Sequence, residues 1–257
     1  MLKIIKRISR LLALVVVYVI CAYGYLTAKG FVFTDGVPVL SNHTQAKEEE
    51  FAVKVNGNVK ISGAQLRARG ADDAPLTMYA FSSMACSHCS DFHRYILPKL
   101  ERDFISTGKL RYIFVHFPID AVSMRAAKLS YCLPADKYDD FISELYKKKD
   151  WLLSGKNETL NKYVREFGMT DETIKICDDN KKLTSDILLT FNDAIKTFGI
   201  QGTPSFIIEG ADGREMVSGS RGYDEFRDYL NSRLEKVKKK CRIFPKTLKR
   251  WKKRLKP

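Results

Sequence analysis

Cys86-Ser87-His88-Cys89 sets two thiols three residues apart. That spacing serves reversible disulfide exchange, or it supplies half of a four-ligand metal site. The run Leu76-Thr77-Met78-Tyr79-Ala80-Phe81 before it is apolar and aromatic enough for a buried strand. Beyond it, Cys89, Phe92, Ile96, Leu100 and Phe104 recur as on one face of a helix. Both cysteines therefore fall in a first helical turn, where unpaired backbone N–H groups and the positive dipole end stabilise a thiolate on Cys86. An imidazolium at His88 is expected to add to that. Cys86 opens the helix and is the expected exposed sulfur, while Cys89 turns into the apolar stripe. The chemistry this favours is thiol–disulfide exchange at a strand-to-helix junction. A metal site would have to start from Cys86, Cys89 and His93 (C-x2-C-x3-H) and find a fourth ligand. Only His88 and His116 are loose candidates and no second cysteine pair answers the first, so no metal is expected. His93 and His116 read as packed histidines of a helix and a strand.

The elements that must hold this pair come from the rest of the chain. Its 257 residues suffice for one sizeable domain with an insertion or tails. The net charge of +14 is concentrated at the ends: residues 1–10 hold four basic residues and no acid, and residues 236–257 hold twelve and no acid. The segment between carries 28 basic against 30 acidic residues, so charge gives no support to a nucleic-acid-binding core.

Residues 11–28 are uncharged and follow the basic flank 1–10. They read as a transmembrane signal anchor or a signal peptide. Eighteen residues lie at the short end of the ~17–25 that span a bilayer and above the ~7–15 of a signal-peptide core. No clear small-x-small cleavage site follows, which favours an uncleaved anchor; Leu26-Thr27-Ala28 is the weak alternative. The basic flank puts the N-terminus in the cytoplasm and the remainder outside, where disulfides persist.

Residues 29–50 are polar and read as a tether. Alternation in Phe51-Ala52-Val53-Lys54-Val55, a turn at Asn56-Gly57-Asn58 and renewed alternation through Val59 and Ile61 predict a hairpin. A strand is expected over 110–117. Helical patterns fill residues 122–198, among them Tyr138, Phe141, Ile142, Leu145 and Leu160, Tyr163, Val164, Phe167. Gly202-Thr203-Pro204 leads into a hairpin over 205–217, and a last helix starts near Tyr223. The order is that of an α/β domain with a helical insertion.

At this point the chain resembles the DsbA-like thiol-disulfide oxidoreductases of the thioredoxin superfamily. The resemblance rests on Ala71-Asp72-Asp73-Ala74-Pro75, Cys86-Ser87-His88-Cys89, Phe92-His93 and Leu97-Pro98-Lys99-Leu100. Gly108-Lys109-Leu110, Phe117-Pro118, Arg125-Ala126-Ala127 and Gly202-Thr203-Pro204 follow in the family's order. It covers about residues 50–235 and implies a thioredoxin-like fold with an inserted helical domain over 51–235. It also implies a cis-proline loop at Thr203-Pro204, facing the dithiol and able to pair with an extended substrate. By the same resemblance, Cys86 and Cys89 exchange disulfides with exported protein thiols on the periplasmic side, and a quinone-linked membrane partner reoxidises them. Two positions depart from the strongly oxidising members: Ser87 stands where they commonly have proline, and Ala80 where many have a buried glutamate. An oxidase is the expected direction, a reductase or isomerase of the same fold the alternative, and a tethered metal-binding module the reading from another class.

Cys132 and Cys177 fall in the helical segment. They either form a structural disulfide, as some relatives do, or stay two buried thiols. Cys21 reads as an apolar filler of the anchor, and Cys241 in the tail is left over. In residues 236–257, Leu248, Trp251 and Leu255 stand among cations, a pattern for a helix lying on anionic lipid or for a solvated charge run.

Overall fold

The computed structural model of the chain describes residues 15–25 in part, 31–34, 37–40, 51–61, 67–153 and 157–243. The chain divides into two units, residues 1–50 and 51–257. In the first, the described residues between 15 and 25 are helical, and Val15, Val16, Tyr18 and Val19 are exposed. Among the described residues no helix is long and apolar enough to cross a membrane; much of the span expected to anchor the chain lies outside them. The segment read as a plain tether contains an antiparallel hairpin, β1 (Phe31–Thr34) with β2 (Val37–Leu40).

The second unit is built on a six-stranded sheet of order β3-β8-β7-β5-β6-β4. Its strands are β3 (Val53–Val55), β4 (Ala68–Arg69), β5 (Leu76–Ser82), β6 (Leu110–His116), β7 (Ser205–Gly210) and β8 (Gly213–Ser218). β5 and β6 are parallel and the other pairs antiparallel. The crossover between the parallel pair is the helix that carries the cysteines. β5 is largely buried on both faces, which explains why its sequence is a nearly continuous apolar run without alternation. Met78 and Ala80 belong to a core cluster with Phe92, Phe206 and Phe226, while Phe81 belongs to another with Ile113, Val115, Ile207 and Phe198.

The crossover helix starts as α1 (Ser87–Asp91), widens into a π-helical turn over Phe92–Ile96, continues as α2 (Leu97–Leu100) and widens again over Glu101–Ile105. Pro98 supplies a reason for the first widening: it has no N–H to give, and its ring crowds the preceding turn. The insertion comprises α3 (Ala121–Cys132), α4 (Ala135–Lys147), α5 (Asp150–Leu153), α6 (Glu158–Glu166), α7 (Asp171–Asp178) and α8 (Lys181–Phe198). Gly199 ends α8 in the left-handed region at φ 67°, the conformation that suits glycine at a helix end.

Two expectations are corrected. Residues 51–61 form no hairpin: β3 pairs with β8, and Val59 and Ile61 pack beside Ala194 and Phe198 of α8. Their alternation meets a helix and not a partner strand. The last helix, α9 (Tyr223–Ile243), runs into the segment read as a tail. Phe226, Leu230, Leu234 and Val237 are buried along it, so the apolar stripe continues past residue 236. The lipid-facing pattern of 247–256 lies outside the described residues.

Candidate active site

β5 delivers the chain to the site through Ser82, Ser83 and Met84, all buried. The Phe117 amide donates to the Ser82 carbonyl at 2.9 Å, and the Cys86 amide turns back to the Ser83 carbonyl at 3.1 Å. Cys86 is then the N-cap of α1 in extended conformation, and its Sγ accepts the Cys89 amide at 3.4 Å. A sulfur so placed takes the part that a serine or aspartate oxygen plays at other helix starts.

The register of β7 against β5 sets Ser205 opposite Phe81, which brings the preceding Thr203 and Pro204 alongside the motif. The Thr203–Pro204 peptide bond is cis. The Cys86 thiol donates to the Thr203 carbonyl at 3.3 Å. From the insertion, the Tyr146 hydroxyl donates to the Ser83 carbonyl at 3.1 Å, and the Ser90 hydroxyl donates to the Tyr146 carbonyl at 3.0 Å. These two bonds lock the start of α1 onto α4. Ser83, Ser90 and Tyr146 carry no motif signal; only their burial in three dimensions reveals them.

The two sulfurs are driven apart electrostatically. Cys86 is half-buried, and its pKa is lowered to about 5, first by a hydrogen bond from the Cys89 thiol and then, against the opposing cost of burial, by the Thr203 side chain and the amides of Cys89 and His88. Cys89 is 1 % exposed. Burial, and next the neighbouring Cys86, push its pKa far above the usual thiol range. The dithiol thus pairs a half-buried sulfur that gives up its proton readily with a buried one that keeps it.

The His88 backbone amide is among the donors to Cys86, and its side chain is exposed. His93 bonds through Nε2 to the Ser143 hydroxyl at 2.9 Å and stacks near Tyr146. Burial, then Arg69 and Lys147, lower its pKa to about 4. His116 is buried between the Ser130 and Tyr138 hydroxyls, each 3.0 Å from Nε2. Among the described residues no group of three or more His, Cys, Asp or Glu side chains is arranged to hold a metal ion. Ala80, fully buried, faces Phe114 and Phe206 in neighbouring strands.

Cys132 and Cys177 are joined in a disulfide across 45 residues, tying the end of α3 to α7. Arg125 of α3 reinforces that joint through Asp178 at 2.7 Å and Asn161 at 2.7 Å. By the loop-closure argument, a Cys132→Ala/Cys177→Ala variant is expected to lose about 2–4 kcal/mol of stability. Denaturant midpoints of the two proteins, compared at equal slope, check this; an unchanged midpoint would refute it.

A family model described as thioredoxin matches residues 64–232. The chain is 26% identical over 198 residues to disulfide bond formation protein D of Bacillus subtilis, covering 74% of this chain and 85% of that one. The crystal structure of Wolbachia pipientis alpha-DsbA1 is similar with a TM-score of 0.63 and 26% identity, covering 71% of this chain and 96% of that one. Oxidised BdbD of Bacillus subtilis shares the fold at a TM-score of 0.55 and 24% identity, covering 71% and 98%.

Proposed function

Because the chain belongs to the thioredoxin family and is a DsbA-like thiol-disulfide oxidoreductase, we propose that it works as an oxidase, introducing disulfides into exported proteins by exchange at Cys86–Cys89. The observation that carries this direction is the split between the two sulfurs: a thiolate favoured at Cys86 stabilises the reduced form, and a stabilised reduced form makes the disulfide a stronger oxidant.

In the proposed cycle the enzyme starts as the Cys86–Cys89 disulfide. A substrate thiolate attacks the Cys86 sulfur; the mixed disulfide forms, the Cys86–Cys89 bond breaks, and Cys89 leaves and takes up a proton. A second substrate thiolate then attacks the substrate sulfur of the mixed disulfide and releases the Cys86 thiolate. Two electrons pass from the substrate to the enzyme, and a quinone-linked membrane partner removes them. Thr203 offers its backbone beside Cys86 to an extended substrate segment. In this reading residues 11–28 anchor the chain with its catalytic domain on the periplasmic side. Loss of the protein from alkali-washed membranes would count against that anchor.

The test is the reduction potential of Cys86–Cys89 as a function of pH. A lowered thiol pKa stabilises the reduced fold above that pKa, and the contribution is lost as pH falls through about 5. Above that point reduction takes up one proton, held by Cys89, and the potential should fall by about 30 mV per pH unit; below it, two protons and about twice that slope. At neutral pH the value should stand nearer ~−120 mV than ~−270 mV. A break in slope in the ordinary thiol range, or a thioredoxin-like value, would favour the reductase reading.

A further inference from the structure

An open cleft of about 570 Å³ lies beside the first widened turn of the crossover helix. His93, Arg94 and Tyr95 come to it from that turn, Arg69 from β4, and Ser143 and Lys147 from α4. Neither Cys86, Cys89, Thr203 nor Pro204 lines it, so it is a separate place from the dithiol. Its volume suits a small organic molecule, and a π-helical turn is a frequent mark of a functional site. Three cations in the wall, Arg69, Arg94 and Lys147, stand against one carboxylate, Glu101. Glu101 is already answered: Arg69 lies 3.4 Å away and the Ser106 hydroxyl donates to it at 3.1 Å. Arg94 and Lys147 are exposed and have no carboxylate within ion-pair distance among the described residues. Two buried nitrogens also lack a hydrogen-bond partner, Arg69 Nε, which stands 3.9 Å from Asp139, and His93 Nδ1. With the Ser143 hydroxyl donating to His93 Nε2 at 2.9 Å, the neutral ring carries its proton on Nδ1 and has it to give.

We propose that this cleft binds the phosphate group of a small organic phosphate, held by Arg94 and Lys147 with Arg69 Nε and His93 Nδ1 as further donors, and with the organic body against Tyr95, Leu97 and Pro98. The donors arrive from three elements. A carboxylate offers them two oxygens in one plane, whereas a phosphate offers three that point apart, and its charge answers both uncompensated cations. Tyr95 is 55 % exposed, and covering it removes apolar surface from water. His93 reports on occupancy. Burial, then Arg69 and Lys147, keep its pKa at about 4. The charged and titratable groups around it are Arg69 with Asp139 behind it, Arg94 and Glu101 of its own helix, and Tyr146 and Lys147 of α4. A phosphate bound among them offsets the cations and favours the imidazolium.

Titration of the full-length protein at constant ionic strength with inorganic phosphate, phenyl phosphate and benzoate tests this, followed through the His93 ring resonances. Phenyl phosphate should saturate the site. It should bind more tightly than inorganic phosphate, which lacks the ring, and more tightly than benzoate, which lacks the third oxygen. In saturating phenyl phosphate the His93 midpoint should rise from about 4 by about 1–3 pH units. Arg94→Gln and Lys147→Gln, both surface changes, should each weaken phenyl phosphate about tenfold, as expected for one lost charge-assisted hydrogen bond. Exchange of Cys86 and Cys89 with dithiothreitol should stay as it was in both variants, which shows that they are folded. No saturation by about 10 mM phenyl phosphate, well above a weak dissociation constant of about 1 mM, would overturn the site. So would an affinity unchanged in both variants, a grip on benzoate or inorganic phosphate as tight as that on phenyl phosphate, or an unmoved His93 midpoint.

Discussion

Cys89→Ala is expected to turn the protein into a covalent trap. Cys86 would have no intramolecular partner with which to form the disulfide or release a bound thiol. Turnover of a dithiol peptide should fall by at least about 10³-fold, given effective molarities of roughly 10⁵–10⁸ M for well-placed intramolecular groups. Adducts between Cys86 and cysteine-containing peptides should accumulate and be visible by non-reducing mass spectrometry. A second effect separates this variant from a merely slow one. The Cys89 thiol is the largest contributor to the lowered pKa of Cys86. The Cys86 midpoint should therefore rise from about 5 toward the ordinary thiol range in Cys89→Ala, and rise less in Cys89→Ser, which keeps a hydroxyl donor. Alkylation rates against pH measure it, and an unmoved midpoint in the alanine variant would refute the assigned hydrogen bond.

Arg233→Ala is expected to cause the largest loss of stability by a single side chain. Arg233 is fully buried. Its guanidinium pairs bidentately with Asp212 at 2.8 and 2.8 Å, meets Glu215 at 3.2 Å and the Tyr229 hydroxyl at 2.8 Å, and donates to the Gly213 carbonyl at 2.9 Å. Gly210 leaves the space for this: a Cβ there would sit 2.8 Å from Asp212 Oδ1 and 3.3 Å from the guanidinium. Truncating the arginine leaves two carboxylates with little water and no cation, a change that costs about 3–5 kcal/mol. The cluster surrounds the turn between β7 and β8, at the opposite end of β7 from Thr203. Thermal or denaturant unfolding should thus register the substitution while the Cys86 midpoint stays near 5. A loss below about 1 kcal/mol would mean that the carboxylates find other partners.

What the sequence revealed and what it hid divide along a physical line. β5, β6 and β7 were readable as apolar runs, and β8 from the turn that precedes it. α4 and α6 were readable from the apolar spacing of Tyr138, Phe141, Ile142, Leu145 and of Leu160, Tyr163, Val164. The placing of Cys86 at a helix start and of Cys89 in the core followed from the same periodicity. Contacts between distant segments were not readable. Val59 and Ile61 alternate like a strand but pack on α8. Tyr146 stands outside the apolar spacing read in α4, and its hydroxyl holds the turn before Cys86. Arg233 carries no sequence signal of its enclosure and is fully buried.

The bridge between Cys132 and Cys177 has a bearing on the other cysteine pair that goes beyond holding helices together. Whatever free energy that bond lends to the fold, the fold lends back to the bond. A stabilisation of about 2–4 kcal/mol makes it roughly 40–90 mV harder to reduce than the same two cysteines in a loose chain. At the helix start the Cys86 thiolate shifts its own pair in the opposite direction. One chain thus holds two cysteine pairs set apart on the redox scale, the bonded Cys132–Cys177 and the free Cys86 and Cys89, so that reducing conditions which keep the second pair open leave the first one closed.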